Sequence, residues 1–395
     1  MKFDGNTYTL SESGKPGRVS LVVGIAGLTL SAVGYWVDAA QMFHSYLTAF
    51  AFWVWIALGG LFFTMLHHLV DAKWSIVLRR LSESIMICLP FMALFFIPVL
   101  IGMHDLYHWS HADIVAADAL LQKKASFLNP TFFVIRSIVY FGVWSLFAVL
   151  LYRISLRQDR GHEQSMHLTM RRISAPGMVL FALTSTFAAF DWLMSLDAHW
   201  YSTIFGVYVF SGSFLAVLSF VILAACYLRR RGVLSNTITV EHYHDLGKLT
   251  FAFIIFWAYM AFSQYFLIWY ANIPEETVWF LRRWDNPWKY VSLVIIFGHF
   301  VLPFVVLLTR AAKRTLAVLS TVAVWILLMR WVDLHWLVLP NLHHDGVHLS
   351  WMDFTTMIGI GGMFVWFFWR RFSSRALVPV NDPGLERSIR FVNRW

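Results

Sequence analysis

Charged residues are scarce in this chain, where Asp, Glu, Lys and Arg make up only 13% of 395 residues. Soluble proteins carry about 25% charged residues, so this composition excludes a typical soluble protein of the same size. Cysteine is almost absent as well, since the chain has only Cys88 and Cys226. Two cysteines exclude a disulfide framework, and two thiolates alone hold neither an iron–sulfur cluster nor a structural zinc ion.

Motifs for several cofactors are missing too. No Cys-x-x-Cys-His segment occurs, which excludes covalently attached haem,. Walker, dinucleotide-binding and nucleophile-elbow motifs are also absent. A b-type haem needs two histidines at matched depth on facing helices, and His299 has no deep partner. We therefore predict neither a catalytic residue nor a redox cofactor in this chain.

Apolar residues are abundant instead, at 59% of the chain, and the mean hydropathy is +0.62. Because a helix crosses a bilayer core with about 20 apolar residues, the sequence predicts ten spans. They cover residues 19–36, 44–70, 84–103, 130–152, 175–196, 201–228, 249–270, 290–309, 316–333 and 351–369. Pro176 is predicted in the first turn of the fifth span, where a missing N–H costs nothing. The predicted fold is all-α integral membrane, with a ten-helix domain over 19–371 between an N-terminal segment, 1–18, and a C-terminal tail, 372–395.

The distribution of positive charge predicts the orientation. Of the 31 Lys and Arg residues, 24 lie on the side of the two termini, five lie on the other side, and Arg136 and Arg330 lie inside spans. Cytoplasmic loops of membrane proteins carry the excess of Lys and Arg, so we expect both termini in the cytoplasm. Because the basic residues gather at helix ends, the net charge of +9 indicates membrane orientation and no nucleic-acid partner.

Ionisable residues inside or at the rim of spans are functional candidates, because a charge in lipid is costly. The half of the membrane away from the termini holds the larger set, namely Arg136, Asp191, Asp197, His199, Arg330, Asp333 and Asp353. Arg330 and Asp333 are three residues apart and therefore share one helix face. We interpret these seven ionisable residues as candidates for a proton path. A snorkelling side chain, or a buried ion pair that joins two helices, is the alternative for each residue.

His299 is the candidate nearest the middle of the membrane, about 13 Å into its helix at 1.5 Å per residue. Pro303 lies four residues later, and its missing N–H leaves the carbonyl of His299 without a helical partner. A proton relay and an interhelical hydrogen bond both explain a histidine at this depth.

A second polar set lies toward the termini and consists of His67, His68, Asp71 and Glu83. It precedes Pro90 and Pro98, which are expected to break the third helix; such breaks are tolerated where neighbours or water satisfy the freed groups. We expect the two polar sets to form two half-channels that nearly meet around His299. The alternative for the second set is a position among the lipid head groups.

The loops away from the termini are rich in His and Asp, with His104, Asp105, His108, His111, Asp113 and Asp118 in one and His343, His344, Asp345 and His348 in another. Imidazole binds several transition metals, so one interpretation is a metal site. The simpler interpretation is a solvated polar loop.

The turn between the fifth and sixth spans carries a resemblance to a known family. It reads Phe190-Asp-Trp-Leu-Met-Ser-Leu-Asp-Ala-His-Trp-Tyr-Ser-Thr-Ile-Phe-Gly-Val-Tyr208, and the ninth span contains Trp-Val-Asp-Leu-His335. With ten spans and helix-end arginines, these segments resemble the NrfD-like (polysulfide-reductase-like) family, as found in the second large membrane subunit of bacterial alternative complex III. The turn is specific, and the likeness extends over most of the chain.

The resemblance implies a fold and a function. Helices two to five and six to nine would form two four-helix bundles, with helices one and ten outside them. The complex would oxidise menaquinol in a bacterial inner membrane and pass electrons to a cytochrome c or another acceptor. Its partners would be a sister NrfD-like subunit, an iron–sulfur subunit, c-type cytochrome subunits that hold haem c, small membrane subunits and lipids.

This chain itself would then hold no redox centre and would support assembly and a proton path. The resemblance makes Asp191, Asp197, Arg330 and Asp333 its outer polar cluster. Whether menaquinol also binds this chain is left open by the resemblance.

Two other functions fit the same residues. A stand-alone secondary transporter also uses broken helices and ionisable groups near the midplane, but the proline breaks here show no repeat symmetry. A purely structural anchor for redox subunits differs from a proton path only in whether the buried acids titrate. Close-packing glycines, such as Gly24, Gly27 and the Gly359-Ile-Gly-Gly362 stretch, predict lateral assembly with other subunits,.

Overall fold

The computed structural model describes residues 1–161, 165–284 and 287–393. Within them the chain is mainly helical, with one antiparallel hairpin of β1 (Lys2–Asp4) and β2 (Thr9–Glu12). Nine described helices are long and apolar enough to cross a membrane, and a bent pair of helices makes a tenth crossing if it is counted as one span. The predicted all-α integral membrane fold is therefore confirmed.

The crossings are numbered α1 to α10 in chain order. They are α1 (Pro16–Val37), α2 (Ala39–Leu69), α3 (the bent pair Ile76–Met92 and Leu94–Ile101), α4 (Pro130–Gln158), α5 (Ser165–Trp192), α6 (Phe205–Arg230), α7 (Val240–Ala271), α8 (Trp288–Leu307), α9 (Leu316–Val338) and α10 (Trp351–Ser373). Short helical segments lie between or after them, at Met103–Leu106, His108–Ser110, Ala112–Ala117, Ala119–Lys124, Met194–Leu196, Pro274–Leu281, Arg310–Arg314, Leu339–Asn341 and Leu385–Ile389.

Both terminal segments lie at the same end of the helices. The backbone N–H of Leu377, after α10, donates to the carbonyl of Tyr8 in the N-terminal hairpin at 2.8 Å. We call this side of the molecule the terminal face and the opposite side the distal face.

Several helices extend beyond the apolar runs that predicted them. Asp38 caps α2, because its side chain accepts a hydrogen bond from the backbone N–H of Gln41 at 3.0 Å. α5 begins at Ser165 and not at residue 175, so Pro176 lies inside the helix and its predicted place in the first turn is wrong. The added residues of α5 include the basic His167, Arg171 and Arg172. Such residues suit the head-group region, but they give no hydropathy signal.

Prolines interrupt two crossings, as predicted. α3 bends by 49° at its break, and two of its pieces carry Pro90 and Pro98 in their first turns. In α8 the residues Ile295–Val301 form a π-helix that ends just before Pro303. This segment contains His299. The backbone carbonyl of His299 lacks its usual α-helical hydrogen bond, because Pro303 has no N–H to donate. π segments inside α-helices are frequent at functional sites.

The crossings form two bundles that meet at α2 and α6. In the first bundle, α2 packs on α3, α4 and α5; in the second, α6 packs on α7 and α9, and α8 packs on both of these. α2 and α6 pack on each other and are buried along most of their length. The bundles are those that the resemblance implies, with α1 and α10 outside them.

α1 and α10 pack against each other along glycines. A Cβ atom on Gly24 would lie 2.7 Å from the backbone nitrogen of Met363, and one on Gly27 would lie 2.7 Å from the Cα of Gly359. The two backbones therefore approach too closely for a side chain at these positions. We expected these glycines to join other subunits, but they join two helices of the same chain.

Candidate functional site

The first ion pair inside the membrane joins α4 to α5. Arg136 donates from Nε to Oδ2 of Asp191 and from Nη2 to Oδ1, both at 2.8 Å, in a fork-like double contact,. Its Nη1 donates to the carbonyl of Phe127 at 2.8 Å, and the Tyr140 hydroxyl donates to Asp191 Oδ2 at 2.7 Å. Every nitrogen of the guanidinium and both carboxylate oxygens have partners, so this pair serves well as a structural link between two helices.

The second ion pair lies on α9 and reaches α6. Arg330 Nη1 donates to Asp333 Oδ2 at 2.5 Å, and the Tyr208 hydroxyl donates to Asp333 Oδ1. Arg330 Nη2 donates to the carbonyl of Val209 at 3.3 Å. Gly212 makes room for the guanidinium, because a Cβ atom there would lie 2.5 Å from Nη1. Tyr208, Asp333 and Arg330 are all buried, and we call them the Tyr–Asp–Arg cluster.

This cluster is less completely paired than the first ion pair. Within the described residues, Nε of Arg330 and both ring nitrogens of His299 have no hydrogen-bond partner. His299 is fully buried and stacks on the ring of Trp257, with 4.0 Å between the centroids. The charge of Arg330 lies close enough to act on the imidazole. Buried polar atoms without a partner are rare and indicate bound water or a functional group.

A large apolar cavity lies beside the Tyr–Asp–Arg cluster. Its volume is about 1000 Å³, and residues of α6 to α9 and of the short helix Pro274–Leu281 line it. Tyr208 and Trp257 belong both to its wall and to the surroundings of Asp333. Arg283 also lines it, buried and stacked over Trp279 at 3.5 Å. Cavities of about 300–1,000 Å³ with aromatic walls and few polar groups are typical ligand sites.

Asp197 and His199 lie at the distal rim, outside both ion pairs. Asp197 accepts from the exposed Arg282 at 3.1 Å, and Nε2 of His199 lies 2.6 Å from Oδ2 of Asp118. The backbone N–H of Leu121 and the His199 side chain lower the pKa of Asp118. The pair of His199 with Asp118 is exposed to solvent, and pairs of this kind contribute little to stability.

Asp353 joins α10 to α2 and α9. Its Oδ1 accepts from the Ser45 hydroxyl at 2.5 Å and lies 3.4 Å from Nε2 of His335. Its Oδ2 accepts from the backbone N–H of Ser350 at 2.8 Å, as part of the N-terminal cap of α10. Asp353 therefore anchors α10 on both bundles.

The terminal polar set divides between interior and surface, and its interior part belongs to the first bundle. Glu83 is fully buried and accepts from Nη1 of Arg80 at 2.8 Å. His68 is buried as well, and Nδ1 of His67 lies 2.7 Å from the carbonyl of Phe63. Glu83 and His68 are therefore enclosed by protein, and their depth in the membrane stays a prediction.

Asp71 lies at the terminal surface, with 41% of its side chain exposed. It pairs with Lys73 at 2.6 Å and with His167 at 3.0 Å. Partial burial opposes its ionisation, but Lys73 and His167 outweigh burial, so the pKa of Asp71 is lowered. The head-group alternative fits this residue.

The acidic residues of the implied outer cluster have different direct partners. Asp191 has its partners in the first bundle, Asp333 has its partners in the second, and Asp197 lies at the rim. His299 lies in the second bundle, whereas the terminal polar set belongs to the first. The expectation that two half-channels meet around His299 therefore finds no support in these contacts.

The histidine-rich distal loops form hydrogen bonds. Nδ1 of His104 lies 2.9 Å from the Ser110 hydroxyl, and Nε2 of His343 lies 2.5 Å from Oε1 of Gln41. In the part of the chain that the structure describes, no group of three or more His, Cys, Asp and Glu has a metal-binding arrangement. These contacts support the polar-loop interpretation.

Sequence reasoning missed the two tyrosines that donate to the buried carboxylates. Tyr140 follows Arg136 by four residues and so lies on the same helix face, a spacing that could have revealed it. Tyr208 reaches Asp333 from a different helix, and nothing in the local sequence signals that contact.

Comparison with known proteins assigns no family to the chain. No protein-family model and no curated protein matches this sequence.

Proposed function

We propose that this chain is a membrane subunit of a menaquinol-oxidising complex of the alternative complex III type, and that its second bundle provides a proton path. The chain holds no redox centre, and iron–sulfur and c-type cytochrome partners carry the electrons. It lies in a bacterial inner membrane with both termini in the cytoplasm, because 24 of its 31 Lys and Arg residues lie on the terminal side,. The resemblance of residues 190–208 supports the type of complex.

The Tyr–Asp–Arg cluster is the observation that carries the proposal. Tyr208 lies in the cavity wall, and its hydroxyl donates a hydrogen bond to Asp333. Its hydroxyl oxygen can therefore take a proton from the cavity while its own proton passes to the carboxylate. Arg330 stabilises the ionised carboxylate of Asp333. The positive charge of Arg330 also acts on the imidazole of His299, whose two ring nitrogens have no hydrogen-bond partner among the described residues. Chains of Asp and His inside a membrane commonly serve proton transfer.

The cavity fits the substrate of such a complex. Menaquinol is lipid-soluble, with an aromatic head and a long apolar tail, and the cavity offers aromatic walls and about 1000 Å³,. Oxidation of a quinol releases its protons and electrons together, so a proton acceptor must border the site. Tyr208, hydrogen-bonded to Asp333, provides this acceptor at the wall.

A matched pair of tyrosine variants tests the proton path. Tyr208→Phe and Tyr140→Phe each remove one hydroxyl that donates to a buried carboxylate. In the assembled complex, reconstituted in vesicles, Tyr208→Phe should slow quinol-dependent proton release at least tenfold, since positioned acid–base groups contribute factors of about 10²–10⁴. Tyr140→Phe should leave proton release unchanged and lower only stability. Equal proton release in both variants and in the unaltered complex would refute the path and favour the structural anchor.

Co-purification tests membership of the complex. A tagged chain purified in mild detergent should bring partners with the absorption spectra of haem c and iron–sulfur clusters. A chain that purifies alone or as a homo-oligomer, and moves a solute across liposomes unaided, would establish the secondary transporter instead.

A further inference from the structure

A second group of buried charges lies in the first bundle, near the terminal face. Arg80 on α3 donates from Nη1 to Oε2 of Glu83 at 2.8 Å and from Nη2 to Oδ2 of Asp159 at 2.7 Å. Arg80 and Glu83 have no exposed surface, and the side chain of Asp159 is 14% exposed. The Ser155 hydroxyl, one turn before Asp159 on α4, accepts from the same guanidinium at 3.3 Å. We call Arg80, Glu83 and Asp159 the terminal triad.

The charges of the terminal triad do not balance. One guanidinium faces two carboxylates, and the next cation on α3, Arg79, is paired with Asp382 at 2.5 Å. Two carboxylates at one site hold a proton more tightly than either alone. Burial raises the pKa of Asp159 to about 6; Arg80 opposes this rise, and Glu83 adds to it.

Within the described residues, Arg80 is the one cation that forms an ion pair with Asp159. On α4, Tyr152 carries a neutral phenol and no positive charge. The backbone N–H of Val380, from the C-terminal tail, favours the ionised carboxylate, and so does Arg79 on α3, which is itself paired with Asp382. The positive charges of Arg371, near the end of α10, and of Arg375, just after it, act on the Tyr152 side chain.

Polar atoms outnumber their partners around the terminal triad. Within residues 1–161, 165–284 and 287–393, four groups at the triad have buried atoms without a hydrogen-bond partner: Nε of Arg80, Oε1 of Glu83, Oδ1 of Asp159 and both amide atoms of the adjacent Gln158. Such atoms are nearly always satisfied by protein or by ordered water. A polar site with several free donors and acceptors is where internal water binds.

The C-terminal tail covers the triad from the terminal face. Asn381 donates from Nδ2 to the backbone carbonyl of Asp159 at 2.8 Å, and Asp382 is buried against Arg79. Asp159 keeps a small exposed area between these contacts. It is therefore the member of the triad that exchanges protons with water.

We propose that Arg80, Glu83 and Asp159, together with internal water, form a proton-binding site that is loaded from the terminal face. The incoming proton binds a carboxylate oxygen of Asp159, and Arg80 then neutralises the carboxylate of Glu83 alone. As a protonation site the triad stands on its own contacts. As the entry of a second proton path, through the first bundle and separate from the one at Tyr208, it rests on the function proposed above.

Infrared difference spectroscopy of the purified full-length protein tests the site. Protonation of a carboxylate produces the C=O band of a carboxylic acid, and this band should appear with a midpoint near pH 6. Asp159→Asn should remove the band. The matched control is Glu241→Gln, which removes a carboxylate that already has its own arginine, Arg314, in two hydrogen bonds. That variant should leave the band unchanged.

Glu83→Gln distinguishes a shared proton from a merely structural triad. Arg80 would then serve Asp159 alone, so the midpoint of the band should fall by about one pH unit, a tenfold change in proton affinity. A spectrum without the band, a band that survives Asp159→Asn, or a midpoint that does not move in Glu83→Gln would each overturn the proposal. If Asp159→Asn does not fold, the Glu83→Gln midpoint decides.

Proton release by the assembled complex separates this inference from the proposed function. If the infrared band behaves as expected but Asp159→Asn leaves proton release unchanged, the triad stands as a protonation site and the proton path through it fails.

Discussion

Replacement of Asp191 with Asn tests whether the first ion pair holds α4 to α5. Asn keeps the size of the side chain but removes its charge, so the double contact with Arg136 loses its electrostatic part. Arg136 is only 8% exposed and would remain buried without a counter-charge. Breaking a buried pair in this way costs about 3–5 kcal/mol. The weakened hydrogen bond from Tyr140 is included in that loss.

The assay is the free energy of unfolding, measured by denaturant titration in mild detergent. Glu386→Gln is the control, because the side chains of Glu386 and its partner Arg390 are 73% and 78% exposed, and loss of such a pair costs at most about 1 kcal/mol. The double replacement Arg136→Met with Asp191→Leu should recover most of the lost stability, since no unpaired charge stays buried. Equal losses for Asp191→Asn and Glu386→Gln, or a double variant no more stable than Asp191→Asn, would refute this reasoning.

Three further predictions follow from close contacts and from charge. Gly212→Ala should cost about 1–3 kcal/mol of unfolding free energy, because its Cβ atom would lie 2.5 Å from Arg330, whereas Gly142→Ala, with no atom within 4 Å, should cost nothing comparable. Gly27→Val should separate α1 from α10 and abolish disulfide cross-linking between cysteines placed on the two helices; undiminished cross-linking would contradict the packing. The lowered pKa of Asp71 means that its ionised form stabilises the fold above its usual pKa and that this contribution is lost as the pH falls. Asp71→Asn should therefore lower the unfolding temperature near neutral pH but not in acid, and a difference that persists in acid would contradict this.

The crossings could be predicted from the sequence because lipid demands long apolar runs. The extension of α5 to Ser165 could not, since its polar first turns lie outside lipid and give no hydropathy signal. The Arg330–Asp333 pair was predictable because both residues lie on one face of one helix. The pairing of Arg136 with Asp191 was not, although both residues were selected, because it depends on how two separate helices pack.

The terminal triad shows the same limit. Glu83 was selected from the sequence as an acid near the membrane, but Arg80 and Asp159 looked like ordinary charges at helix ends. Only the packing of α3 on α4 brings the three together and leaves one cation between two acids. Burial and charge balance, which decide whether an acid titrates, are properties of that packing.

The glycine contact between α1 and α10 has a consequence for biosynthesis. α1 enters the bilayer early, while α10 follows only after nearly all of the chain has been made, on the order of tens of seconds later at about 5–20 residues per second. During that interval the glycine surface of α1 faces lipid and is accessible to any other newly inserted helix. A truncated product that stops before α10 would keep this surface open, and membrane quality control would recognise it as an orphan segment.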